Sequence, residues 1–268
     1  AAPDAEYLPI SPQISRPSCG KRRFVLRLAL ARARIRPCSA VLTVLAALGC
    51  TRCSEDTARR RLDFCLRCID AAAQVRDCWA VAFGDAHSAD SRVVAAGYDN
   101  GDVKLLDLVA GKLRFETNVS NGVCGVEFDR NDIEMNKLVL TTLESRYRLY
   151  DMRTHHPVHG FSFLSQEAHQ STVWAARHLP QNRDVFMTCG GNGSLELWRY
   201  SYPAQRSIKD KDGHAKGVLG TVTQLQKKKF STQPIASFDW HADKEGLAVM
   251  GVLDQTVRVL LCTKLNLV

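Results

Sequence analysis

The chain is 268 residues long, with 45% apolar residues and a net charge of +8, enough for one large domain or two modest ones, and its composition excludes a chain disordered or fibrous throughout. The charge is uneven: residues 1–76 carry 14 Lys/Arg against 6 Asp/Glu, whereas residues 77–268 carry 22 of each. No run reaches the roughly 18–20 apolar residues a membrane span needs, Cys38 to Cys50 being the best, so no membrane partner is expected.

Residues 1–74 form a basic leader rich in Cys, Arg and Pro. Five of the nine prolines (Pro3, Pro9, Pro12, Pro17, Pro37) precede position 40, KRRFVLRLALARARIR fills 21–36, and no acid occurs between Glu6 and Glu55. Strand alternation is missing. Residues 24–36 and 55–70 read as short helices, since Arg, Ala and Leu are good helix formers. The segment is expected to be poorly structured and partly helical, disordered or non-native to the rest of the chain: an alternative first exon, or a translated GC-rich stretch. Acid-poor, Arg-rich stretches also read as transit peptides, but this one lies behind four prolines. With no aromatic residues among the arginines to stack bases, nucleic acid is not an expected partner.

Six of the ten cysteines lie in residues 1–68. Cys50, Cys53, Cys65 and Cys68 form two CxxC pairs, and four thiolates can hold zinc tetrahedrally. The gap of 11 residues is shorter than the roughly 15–20 of a paired-knuckle site, and SEDTARRRLDF between the pairs reads as helix. These are the weak metal candidates of a chain for which no metal and no cofactor is expected. Cys78, Cys124, Cys189 and Cys262 sit in apolar runs and read as buried thiols of an intracellular protein.

From Val75 onward, short β-branched and aromatic runs alternate with Gly, Asn and Asp turns, a strand-and-hairpin pattern. Four segments share it: CWAVAF, RVVAAG and VKLLD (78–107); VCGVEF, KLVLTTLE and YRLYD (123–151); VWAARHLP, DVFMTCGGNG and SLELWRY (173–200); IASFDW, LAVMGVLDQ and TVRVLLC (235–262). Val103, Tyr147, Leu195 and Val257 occupy equivalent places at spacings of 44, 48 and 62. A propeller blade has about 40–45 residues in four strands. The expected fold is all-β: a partial propeller of four WD-type blades over 75–268, with blades at about 77–120, 121–168, 169–233 and 234–268. The stretched last interval places an insertion at 201–233, whose charge runs read as a solvated loop.

The hairpin between the second and third strands of a blade needs positive φ, which Asn, Asp and Gly supply cheaply. Asn100-Gly101 and Asn192-Gly193 fit, Asp254-Gln255 less well, and Glu144-Ser145 poorly. Apolar residues at i and i+2 of the third strand, Val103/Leu105 and Val257/Val259, are expected to face the next blade. Asn100, Asp107, Asp151, His169, Asn192, Trp198 and Asp254 are the expected repeat-structural residues. One repeat carries most of the WD signature: His169, Thr188, Asn192 in place of the turn Asp, and Trp198. Such residues hydrogen-bond across a blade and order it; the Asn weakens the chain. No enzyme constellation is read. Ser171 near His169 and His178 lacks a nucleophile elbow, and Gly190–Gly193 is a hairpin turn, not a phosphate loop.

The strings DCWAVAFG (77–84), AGYDNGDVKLLDL (96–108), NGVCGVEFDRNDIEMNKL (121–138), YDMRTHHP (150–157), AHQSTVWAARHLPQNR (168–183) and DQTVRVLLCTKLN (254–266) closely resemble Monad-type WD-repeat proteins, a family of axonemal dynein assembly factors. The resemblance covers about 77–268, through loops as well as strands; residues 1–74 are unmatched. It implies the last four blades of a seven-bladed propeller and a cytoplasmic, non-enzymatic adaptor. The implied partners are the prefoldin-like and RuvB-like-ATPase co-chaperone assembly and dynein heavy chains, with an apoptosis link. An alternative rests on Tyr150-Asp151-Met152-Arg153, the aromatic-Asp-x-Arg repeat ending of substrate receptors of cullin-type ubiquitin ligases, in which Arg153 reaches out to the ligase adaptor.

Overall fold

The computed structural model describes residues 76–265. Cys50, Cys53, Cys65, Cys68, the basic stretch at 21–36 and the expected helices at 24–36 and 55–70 lie outside the described residues. Within them the chain is all-β, arranged as four propeller blades, with no α-helix.

The first antiparallel sheet is β1 (Cys78–Gly84), β2 (Val93–Tyr98), β3 (Asp102–Asp107) and β4 (Lys112–Asn118). The second is β5 (Val123–Phe128), β6 (Lys137–Thr142), β7 (Arg146–His156) and β8 (Gly160–Glu167). In the third, β9 (Val173–Leu179), β10 (Asn182–Gly190) and β11 (Ser194–Ser201) are followed by a small ribbon, β12 (Ser207–Lys209) with β13 (Ala215–Gly217), before β14 (Thr221–Lys229) returns along β11. The fourth has β15 (Ile235–Trp240), β16 (Leu247–Val252) and β17 (Val257–Leu261). Each strand pairs with its predecessor in the blade, and the first strands of successive blades touch one another, so β1, β5, β9 and β15 are innermost.

The solvated loop expected at 201–233 is half wrong. Thr221–Lys229 supplies the outer strand of the third blade, hydrogen-bonded along β11 from Ser194↔Lys229 to Ser201↔Thr221. The ribbon before it docks on the second blade, where the Ser162 hydroxyl donates to the Gly217 carbonyl at 2.8 Å and Arg206 to that of Arg153 at 2.6 Å.

Side-chain alternation assembles the core between blades. Val103 and Leu105 pack with Val126 and Phe128 of the second blade. Tyr147 and Leu149 pack with Val173 and Phe186 of the third, and Leu195 and Leu197 with Ile235 and Phe238 of the fourth. Each such side chain contributes about 1.5–3 kcal/mol by burial. The same phase in the fourth blade gives Val257 and Val259, 74% and 71% exposed. They occupy the interblade position without a described blade against them.

The turns between second and third strands share one conformation. Gly101, Ser145, Gly193 and Gln255 have φ of 88°, 40°, 77° and 68°, and the N–H groups of Gly101, Gly193 and Gln255 each donate to the carbonyl three residues back at 3.2 Å. Only this last turn residue needs positive φ, as in a type I turn followed by a left-handed residue. The preceding residue acts through its side chain: Asn100, Asn192 and Asp254 each accept the N–H two residues on at 3.0–3.1 Å. Ser145 and Gln255 therefore take a conformation that costs a non-glycine residue about 1–2 kcal/mol.

The inner strands share a second device. Pairing of each first strand with the second skips one residue: Trp79, Cys124, Trp174 and Ala236. Each is the extra residue of a β-bulge, which bends the strand and re-aims a side chain. A backbone bond closes each bulge, from Asp99, Leu143, Gly191 and Leu253 to the carbonyls of Asp77, Gly122, Thr172 and Pro234, at 2.8–3.1 Å.

Candidate functional site

His169 follows β8 with φ of 62°, which swings its imidazole across the third blade. Its Nε2 lies 2.8 Å from Thr188 Oγ1, and its Nδ1 2.8 Å from Ser194 Oγ. Trp198 Nε1 donates to Thr188 Oγ1 at 3.0 Å, and the Ser194 hydroxyl donates to Asn192 Oδ1 at 2.7 Å. These ends fix the directions between them. Ser194, having given its own proton to Asn192, can only accept from Nδ1, so the proton of His169 sits there, and Nε2 of the uncharged ring accepts from the Thr188 hydroxyl. Burial lowers the pKa of the imidazole and favours its neutral form against the pull of the Glu196 carboxylate, 3.5 Å from Nδ1. Gly190 makes room, because a Cβ there would collide with His169 Nδ1 and Asn192 Oδ1.

Ser194 is therefore the link by which Asn192 joins the chain, and the sequence reading missed it. It also missed Glu196. That carboxylate is buried beside the imidazole, accepting from the His169 N–H at 3.2 Å and Gln224 Nε2 at 2.9 Å, and pairing with Lys227 at 2.7 Å. Ser194, Glu196 and Trp198 alternate along β11, so polar residues at i and i+2 before the tryptophan were the available signal.

Asp107 and Asp151 occupy equivalent places, each ending the pairing of its third strand with the second. Asp107 Oδ1 accepts from Val109 and Ala110 N–H at 2.9 and 2.8 Å. Asp151 accepts from the Arg153 N–H at 3.0 Å and takes its guanidinium as a fork, at 2.8 and 2.5 Å. Arg153 is folded back: its side chain is 15% exposed and lies 4.7 Å over the Tyr202 ring. Tyr202 also receives the buried Lys137, whose Nζ lies 2.5 Å from the phenol oxygen, 2.9 Å from Asp184 and 3.7 Å from Asp129. Arg183 pairs with Asp129 at 2.6 Å. This network clamps the second blade to the third.

Asp254 joins the Ser231 hydroxyl at 3.0 Å and Arg258 at 2.8 Å, and its pKa is lowered first by the Thr256 hydroxyl. Asn100 donates to Asp102 at 2.6 Å. Burial raises the thiol pKa of Cys78, Cys124, Cys189 and Cys262, to about 12 for the fully buried Cys189. These four thiols are free.

His156, Asp210 and His214 bring potential metal-ligating atoms within 4.8 Å of one another. His156 Nδ1, however, accepts from the N–H groups of Val158 and His159 at 3.1 and 3.0 Å. The proton is thereby placed on Nε2, which donates to Asp210 Oδ2 at 3.0 Å. No imidazole lone pair of His156 remains to face a metal, and the group serves as a second clasp between the ribbon and the second blade. The Ser171 hydroxyl has no hydrogen-bond partner, and both His169 nitrogens are occupied by Thr188 and Ser194. Among the described residues no helix is long and apolar enough to cross a membrane.

No family model matches the chain. It is 61% identical over 191 residues to a Xenopus laevis protein named dynein axonemal assembly factor 10, covering 71% of this chain and 53% of that one. The proteins of that name from Homo sapiens and Chlamydomonas reinhardtii are 60% identical over 191 and 54% identical over 193 residues, covering 71% and 72% of this chain and 54% of each. The chain thus spans about half the length of the curated relatives it matches. Its similarity to them agrees with the resemblance carried by the repeat strings.

Proposed function

Because this chain is homologous to half of the dynein axonemal assembly factor 10 proteins, we propose that it is a non-enzymatic WD-repeat adaptor in the preassembly of axonemal dynein. The identity of about 60% across the blades carries this reading. It is supported by an architecture whose polar networks are used up internally: the imidazole of His169 and the cations of Lys137 and Arg153 each hold blade to blade or strand to strand. What remains for partners is loop and outer-strand surface and the few exposed side chains of the inner strands, as expected where function is set by sites placed on a common fold.

In this proposal the adaptor works in the cytoplasm. Its partners are a prefoldin-like and RuvB-like-ATPase co-chaperone assembly and dynein heavy chains, and it has a link to apoptosis. The test is affinity purification of the full chain from ciliated cells with quantitative mass spectrometry. Enrichment of RuvB-like ATPases, prefoldin-like subunits and dynein heavy chains over a tag-only control is expected. Recovery of none of them overturns the proposal.

The alternative, a substrate receptor of a cullin-type ubiquitin ligase, requires Arg153 to leave Asp151 and Tyr202. It predicts that Arg153→Ala abolishes recovery of the ligase adaptor; unchanged recovery, or none from the unaltered chain, overturns it.

A further inference from the structure

Two of the four bulge positions carry tryptophan, and both indoles are open to solvent although they stand at the head of innermost strands: Trp79 is 49% and Trp174 39% exposed. Each is seated on a glycine. A Cβ at Gly122 would lie 2.8 Å from the Trp79 ring and 3.0 Å from Leu143 Cδ1; one at Gly191 would lie 3.4 Å from Trp174 Nε1 and 3.0 Å from Ser171 Oγ. The two seats are tied together. Thr172 Oγ1 donates to the Leu143 carbonyl at 3.1 Å, and the Gly191 N–H donates to the Thr172 carbonyl at 2.8 Å. Trp79, the exposed Leu143 and Trp174 therefore stand at the same end of three neighbouring blades.

Acceptor groups lie beside the Trp79 seat. Asp99 Oδ1 is buried without a hydrogen-bond partner, and the Asp99 carbonyl flanks the Gly122 seat. The exposed Glu144 follows Leu143. Arg148 is occupied by the Asn118 and Val119 carbonyls and the Phe163 ring. Indole faces attract ammonium and guanidinium groups, and tryptophan is the residue type most enriched among those that dominate binding energy.

We propose that Trp79, Leu143 and Trp174 form a docking surface for an extended protein segment that carries an arginine or lysine beside apolar residues. The cation lies over the Trp79 indole toward Asp99, and its apolar neighbours cover Leu143 and Trp174. An acidic segment would meet Asp99 and Glu144 as like charges. This deepens the adaptor reading and rests on it only in taking the ligand to be protein.

The test is fluorescence anisotropy with the full chain and a labelled peptide, Ala-Ala-Leu-Arg-Leu-Ala-Ala, against versions with Glu for Arg or Ala for both Leu. The Arg-Leu peptide binds, and each altered version binds more weakly by about tenfold. Trp79→Ala and Trp174→Ala each weaken binding by about tenfold at unchanged melting temperature. Equal binding of the acidic peptide, no binding of the Arg-Leu peptide, or undiminished binding by both tryptophan variants overturns the proposal. If a variant melts early, acrylamide quenching of the unaltered chain decides: bound peptide must shield indole fluorescence, and unchanged quenching overturns the surface. Failure to recover dynein-assembly partners with peptide binding intact refutes the adaptor reading alone; the reverse result refutes this surface alone.

Discussion

Thr188 and His169, on a strand and a loop of the same blade, meet at 2.8 Å, and the bond between them runs from the hydroxyl to the ring. That direction makes the blade dependent on an uncharged histidine. Burial lowers the His169 pKa, so the folded chain binds this proton less readily than the unfolded chain, whose histidine titrates near 6.5. The stabilisation is present above about pH 6.5 and is lost as pH falls from there through the folded pKa. The melting temperature should drop as pH is lowered from about 7 to about 5. In His169→Gln the drop should be shallower; equal slopes would contradict the assignment.

Thr188→Val keeps the shape and removes the hydroxyl. It leaves the Trp198 N–H and His169 Nε2 without their partner in a dry site, where each orphan costs about 1–3 kcal/mol. Urea unfolding should lose about 2 kcal/mol for Val and about 1 kcal/mol for Thr188→Ser, which gives up only a methyl group. Equal losses would mean that packing, not hydrogen bonding, holds this point.

Lys137→Met leaves Asp184 and Asp129 facing Tyr202 without their ammonium. Breaking a buried pair from one side costs about 3–5 kcal/mol, and the loss should fall below that range here because Arg183 still pairs with Asp129 and Asp184 is partly exposed. Adding Asp184→Asn should recover part of the loss, giving a coupling of about 0.5–3 kcal/mol. Strict additivity in denaturant midpoints would show that the two side chains act independently.

Val103 and Val257 occupy the same repeat position in opposite surroundings. Val103→Lys buries a charge between blades and should prevent cooperative folding. Val257→Lys should change stability by no more than about 0.5 kcal/mol and reduce light scattering on heating, because it interrupts an apolar face beside the edge of β17 that no described strand pairs. A large destabilisation by Val257→Lys would mean that this face is covered in solution.

Much of this was legible because repeats over-determine one another. Val103, Tyr147 and Leu195 share a phase, and their burial follows from it. The turns were only partly legible. Asn100-Gly101 advertises its geometry, but Ser145 and Gln255 take the same left-handed conformation because strands on both sides impose it. β14 stayed hidden because TVTQLQKKK, an outer strand with both faces wet, lacks the apolar alternation that marks an inner one. Ser194 and Glu196 were missed because a strand pattern reports which residues face inward, not what they bond to there. Arg153 was read as reaching outward, and the neighbour that holds it, Tyr202, lies beyond the repeat's own motif.

The bulges carry a consequence for how such a chain can diverge. Trp79, Cys124, Trp174 and Ala236 are held by the backbone on either side of them, and their side chains answer to no register partner in their own sheet. Two large aromatics, a thiol and a methyl group already occupy the same geometric slot. Variation at these four addresses rewrites what the blades display while the strand ladder is inherited unchanged. A chain of this kind can acquire a new correspondent by substitutions that a melting curve would barely register.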